Sequence, residues 1–186
     1  MASKIITEPA VEPVTLAEAK AHLRVDTVDD NLFITSLIID ARQGAETKTR
    51  RVFVTQTWTE ILDEFPATII LPYPPLQSVT HIKYIDANGT QQTMSSADYI
   101  VDTQSAPARI TPAFGKSWPG IQSRINAVEI QFVAGYGLAA VVPQKIKQWM
   151  LLTIGTRHEH RESIITGTIV NTLPDYDSLL EYYIVR

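Results

Sequence analysis

The chain has 186 residues, 45% of them hydrophobic and 19% charged, with a formal net charge of −4. That length holds one domain, or a domain carrying a large insertion, with apolar residues enough for a core. The charge excludes a general basic surplus of the kind that grips nucleic acid through its phosphates. The absence of cysteine excludes disulfides, thiolate metal sites and cysteine nucleophiles, and fits a reducing compartment.

Met1 to Val14 carries one lysine and no apolar core, so no signal peptide is expected. No run approaches the roughly 18 apolar residues of a membrane-spanning helix. The chain is expected to be made and kept in an aqueous compartment.

Residues 1–51 read as helix. Thr15-Leu-Ala-Glu18 has the form of a capping box, in which the Thr15 hydroxyl meets the Glu18 amide and the Glu18 side chain reaches back. A short helix is predicted from there to about Arg24. Asp29 or Asp30 is predicted to cap a longer helix that ends near Arg51. Acidic residues at its start and Lys48, Arg50 and Arg51 at its end suit the helix dipole. At about 100° per residue, Phe33, Ile34, Leu37, Ile38, Ala41 and Ala45 gather on one side of this helix. Leu32 and Ile39 fall nearly opposite. Either the helix is sandwiched within the subunit, or this second patch meets another copy.

Residues 52–137 change to strand character, with about six strands predicted. They are Thr55–Leu62, Thr68–Leu71, Val79–Ile85, Tyr99–Val101, Ala108–Ile110 and Ala127–Val133. Asp86-Ala-Asn-Gly89 reads as a hairpin turn, because Asn-Gly accepts positive φ. Gly135-Tyr-Gly137 closes the sheet. Residues 138–186 return to helix. One helix is predicted from Pro143 to about His160, with Trp149-Met-Leu-Leu-Thr-Ile154 apolar nearly all round. Glu162–Pro174 reads as a loop or loose hairpin, and Asp175 to about Tyr183 as a short final helix. A helix that short is marginal alone in water and needs something to dock on. The predicted fold class is α+β, a small bundle of about four helices with a large antiparallel β insertion between the second and third. The helices from both ends are expected to pack together around the sheet.

Arg157-His-Glu-His-Arg-Glu162 is the cluster most suggestive of chemistry. His158 and His160 stand about 200° apart on a helix, so they cannot share one metal, and the His-Glu-x-x-His spacing is absent. A solvated helix end is the better reading. Asp26, Asp29 and Asp30 lack the spacing of a Ca²⁺ loop and read as helix-start acids. No Gly-x-Ser-x-Gly elbow occurs. Trp58, Trp118, Tyr73, Tyr84 and Tyr136 have the rings to stack bases, but core or strand packing is the expected role. No catalytic residue, metal or cofactor is predicted.

The ordered segments resemble a known family. They open with Glu12-Pro-Val-Thr-Leu-Ala-Glu-Ala-Lys-Ala-His-Leu-Arg24, Asp29-Asp30, Ile38, Ala41-Arg42, Glu46 and Arg50. Trp58, Phe65-Pro66, Leu71-Pro72 and Pro75-Leu-Gln-Ser-Val79 follow. Tyr84-x-Asp86-x-x-Gly89, Tyr99-x-Val-Asp102, Pro107-Ala-Arg-Ile110, Trp118-Pro119, Ala134-Gly-Tyr-Gly137 and Val142-Pro-x-x-Ile-Lys147 complete the set. Together they are similar to the head–tail connector, or head-completion adaptor, proteins of tailed phages. Leu179-Leu180 and Tyr182-Tyr183 fill the places of the family's tail residues, whereas Ile184-Val-Arg186 departs from the pattern.

The resemblance implies a structural subunit of the virion's head–tail junction, synthesised in the bacterial host's cytoplasm. Identical copies would form a ring, a dodecamer, below the portal. The ring would extend the DNA channel and present a platform for a tail-completion or stopper protein. Double-stranded DNA would pass without sequence-specific binding. A closed ring needs two different faces of each subunit to meet. Leu32, Ile39, Arg42, Glu46 and Arg50 are the expected subunit interface, with Leu179, Leu180, Tyr182 and Tyr183 as the expected portal-binding tail. The rival readings are another head-completion or stopper protein, a nucleic-acid-binding module on the β region, and a metal hydrolase on His158 and His160.

Overall fold

A computed structural model of the chain describes residues 2–161 and 176–185. The described residues form an α+β structure with two compact units: Met1–Ala10 with Val54–Gly137, and Val11–Phe53 with Leu138–Arg186.

The helical unit is built from both ends of the chain. Helix α1 spans Leu16–Leu23, α2 Asn31–Thr49, α3 Gln144–Glu159 and α4 Ser178–Glu181. The predicted capping box is present. The Thr15 hydroxyl accepts from the Glu18 amide at 3.2 Å, and the Glu18 carboxylate accepts from the Thr15 amide at 2.7 Å. These bonds favour the ionised carboxylate and hold Glu18 below its ordinary pKa. Asp30 takes the N-cap position of α2, but its side chain makes no capping bond; its carboxylate faces Arg161 instead, at 3.3 Å.

Helix α2 buries Ile34, Leu37, Ile38, Ala41 and Ala45, the face that the 3.6-residue period marks out. It packs against α3, which buries Ile146, Trp149, Met150, Thr153 and Ile154. Leu151 and Leu152 remain half-buried. Helix α1 lies against both. Gly155 of α3 faces the His22 ring of α1, where an added Cβ would stand at an ordinary contact distance of 3.5 Å.

The β unit has eight strands: β1 Ala2–Thr7, β2 Gln56–Leu62, β3 Ile69–Leu71, β4 Leu76–Ile85, β5 Gln91–Thr93, β6 Tyr99–Asp102, β7 Ala108–Pro112 and β8 Val128–Ala134. They form a five-stranded sheet, ordered β1-β2-β8-β4-β5, and a three-stranded sheet, ordered β3-β7-β6. Every pairing is antiparallel. Register sets the core. Glu60, Ile130 and Ile82 stand opposite one another across β2, β8 and β4, as do Trp58, Phe132 and Val79. Ile69, Ile110 and Val101 make the corresponding row in the smaller sheet. Phe132, Ile130, Ile82, Ile69 and Ile110 are fully buried.

Two strands were not expected. Residues 1–51 were read as part of the helical core, yet Ala2–Thr7 joins the β unit as an edge strand on β2. It is almost wholly exposed, and its two isoleucines are adjacent rather than alternating, so its sequence carries no buried-face alternation. The tripeptide Gln91–Thr93 is likewise exposed and returns on β4. The hairpin leading into it is the predicted one. The Asp86 carboxylate accepts from the amides of Asn88 and Thr90, and Gly89 has φ 83°. At the end of β8, Gly135 has φ 119°, and a Cβ there would lie 2.6 Å from the Val54 carbonyl oxygen. Only glycine fits that backbone.

Candidate assembly surface

The apolar patch predicted on α2 stands open. Leu32 is 88% and Ile39 37% exposed, and Val28 in the preceding turn is 71% exposed. Helix α2 is therefore covered on one side by its own unit and bare on the other among the described residues. The hydroxyls on the bare side are already bonded to the helix's own backbone. Thr35 donates to the Asn31 carbonyl at 2.8 Å, Ser36 to Phe33 at 2.7 Å and Thr47 to Gln43 at 2.8 Å. Covering such a surface strands none of these hydroxyl donors.

Arg42 and Glu46, expected on this outer surface, face inward. Arg42 is 4% exposed. Its Nε donates to Glu12 at 2.8 Å and its Nη1 to Glu46 at 2.9 Å. Glu46 also accepts the Phe53 amide at 3.0 Å. Burial disfavours the guanidinium charge, but Glu46 and Glu12 outweigh it and hold the group above its ordinary pKa. The i, i+4 spacing of Arg42 and Glu46 reads as a solvated pair in sequence. What buries it is the segment around Glu12, 30 positions away, which no local pattern announces. Arg50 stays exposed as the left-handed C-cap of α2, φ 54°.

The expected tail residues divide. Leu180 is buried in its own helical unit, 1% exposed, where α4 packs on α2 and α3. Leu179 and Tyr183 are half-buried, and Tyr182 is 85% exposed. So Leu180 is not on display, and the helix that needed a docking site finds one within the chain. Asp177, which sequence reasoning missed, organises that site. It bridges the Lys48 ammonium and the Trp149 indole N–H, the latter at 2.8 Å. Lys48 first, and then Trp149, hold Asp177 below the ordinary carboxylate range. Arg51 donates to the Tyr183 carbonyl at 2.6 Å, and the Val185 amide to the Thr49 carbonyl at 3.0 Å.

The candidate chemistry resolves into packing. His158 lies at the end of α3, largely buried, 3.8 Å from Asp30 and with its ring 6.0 Å from that of Phe33. Arg161 sits over the same Phe33 ring at 4.5 Å. Of this helix end only His158 turns inward against the start of α2; Arg157, Glu159, His160 and Arg161 stay exposed, as a solvated end should. Among the described residues no group of three or more acidic or histidine side chains is placed to hold a metal. The aromatics pair with one another: Trp58 with Tyr73 at 4.3 Å, and Phe65 stacked on Trp118 at 4.9 Å with Tyr84 at its edge. The predicted loop at Glu162–Pro174, with Asp175, lies outside the described residues.

Among curated proteins none matches the chain. Among solved structures, a chain in the neck of an empty gene transfer agent (GTA) particle, computed with C6 symmetry, superposes with a TM-score of 0.83 at 24% identity. A chain of the native GTA virion gives 0.81 at 22% identity, and one in the native GTA neck with C12 symmetry gives 0.79 at 23%. Each comparison covers 100% of this chain and 97% of the other. The likeness establishes a shared fold. The sequence profile of the phage gp6-like head–tail connector proteins matches residues 13–113, a span that runs from the capping box through α2 and on to the end of β7. The chain belongs to the phage gp6-like head–tail connector family and is a structural connector protein.

Proposed function

We propose that identical copies of this chain form a ring, a dodecamer, at the head–tail junction of a virion. The ring sits below the portal, extends the DNA channel and offers the platform on which a tail-completion or stopper protein assembles. The observation that carries this reading is the bare face of α2 at Leu32 and Ile39 within a head–tail connector chain. A ring requires each subunit to offer surface that its own fold leaves uncovered, and apolar surface supplies affinity once buried. The neck structure with C12 symmetry that shares this fold supports the stoichiometry. The net charge of −4 suits a conduit, because a wall without basic surplus does not hold the phosphates of a passing duplex. Double-stranded DNA then moves through without sequence-specific contact. The C-terminal tail supplies the portal contact, with Leu179, Leu180, Tyr182 and Tyr183 as its apolar residues. The subunit is made in the host cytoplasm and ends in the particle; no described helix is long and apolar enough to cross a membrane.

The test is Leu32→Asp with Ile39→Asp. Both positions are exposed, so the monomer should keep its melting behaviour, with a stability change of about 0.5 kcal/mol or less per site. Rings, followed by size-exclusion chromatography and electron microscopy with and without portal, should be lost. Normal rings from the double variant would remove this face from the interface.

A further inference from the structure

The C-terminal tail is already occupied. Contacts among the described residues hold it on its own helical unit. The Leu180 side chain is buried there. The Asp177 carboxylate is shared between Lys48 and the Trp149 indole. Arg51 holds the Tyr183 carbonyl, and the Thr49 carbonyl takes the Val185 amide. The cradle therefore reads a peptide by one leucine, one carboxylate and two main-chain groups. All its cradle side belongs to the last turn of α2, the residues just after it, and α3. Tyr182 and Ile184 point away, 85% and 43% exposed.

A leucine cannot sit in this cradle and against the portal at once. We propose that the docked tail is a latch: held on its own subunit it withholds Leu180 and half of Tyr183, and portal engagement requires the Asp177 clasp to open. This inference rests on the portal-binding reading above. The clasp is built to open easily. Lys48 and Asp177 are each about half exposed, 47% and 48%, and solvated ion pairs of that kind hold weakly. Short α4 adds little of its own, since four residues do not sustain a helix in water. The latched tail is thus stable enough to cover apolar surface on a free subunit and loose enough to be taken by a stronger partner. Its dock also shields Trp149, which carries Lys48 over its ring at 5.7 Å and lies 6.0 Å from the Tyr176 ring.

The informative variant is K48D, because Lys48 lies on α2 and the change leaves the tail sequence intact. D177K and the charge-swapped pair K48D/D177K complete the set, all in the full chain. Amide exchange at Leu180 and Val185 should speed up at least about threefold in each single variant and slow again in the pair. Portal association, followed by surface capture of the purified portal, should speed up by a similar factor in K48D and return towards the wild-type rate in the pair. Unchanged exchange in both single variants would overturn the latch. Faster exchange in K48D with portal association no faster than wild type would also overturn it, while leaving portal binding itself intact. If neither wild type nor any variant binds the portal, the portal reading falls and the latch falls with it.

Discussion

Glu60 has surroundings that suit its charge poorly. It lies fully buried on β2 between Ser3 and Ile130 in register. The Ser3 hydroxyl donates to one carboxylate oxygen, and the other has no hydrogen-bond partner among the described residues. Burial raises its pKa, and the Ser3 bond offsets only part of the rise. The protonated form is therefore the one the fold favours. Its contribution to stability is complete below the unfolded value of about 4.3 and is lost as pH rises through the raised folded value. Glu60→Gln should melt close to wild type near pH 4 and above it at about pH 8. Melting curves that stay parallel across that range would contradict a buried Glu60 whose pKa is raised by folding. Nothing in Thr-Glu-Ile around position 60 signals this burial. It follows from the edge strand β1, which closes over the residue from 57 positions away.

At the scale of elements, α2 shows both what periodicity reveals and where it stops. The buried face from Ile34 to Ala45 and the open patch at Leu32 and Ile39 are both legible from a 3.6-residue period. The inward turn of Arg42 is not, because a helical wheel counts angles and is blind to what covers them. Its consequence is measurable. Arg42→Ala would leave Glu12 and Glu46 with no guanidinium between them, a loss of about 3 kcal/mol for a buried pair. Urea unfolding should report that loss in the monomer. A variant that keeps its monomer stability within about 0.5 kcal/mol but fails to assemble would instead return Arg42 to the interface. The tail makes the same point in another way. Leu179-Leu180 and the tyrosines were readable as apolar residues in search of cover, and α4 as too short to stand alone. That the cover is α2 and α3 of the same chain depends on Asp177 meeting Lys48, 129 positions earlier.

For the whole molecule, the two candidate sources of ring affinity make opposite demands of salt. Each copy carries a net charge of −4, so assembly brings like charge together, and screening relieves that repulsion within a Debye length of about 8–10 Å. With Arg42 and Glu46 committed inside the subunit, the proposed ring would have the apolar patch as its main attraction. Ring yield should therefore hold or rise between about 0.05 and 0.5 M salt, as read by chromatography of the wild-type chain. Dissolution of rings at high salt would give the main role to ion pairs between subunits.

The sequence by itself determined the order of helices, strands and helices, the capping box at Thr15, the hairpin at Asp86, the glycine turn at Gly135 and the buried face of α2. Each of these is set by neighbours within a few positions, through hydrogen bonds of the local backbone or the period of a single element. Tertiary structure alone decided that Ala2–Thr7 pairs with β2, that Glu60 is sealed, that Arg42 turns inward and that the tail packs on its own helices. Those outcomes depend on contacts between residues 30 or more positions apart. The physical reason is that burial belongs to a surface made by several elements at once, and no one of them carries its pattern.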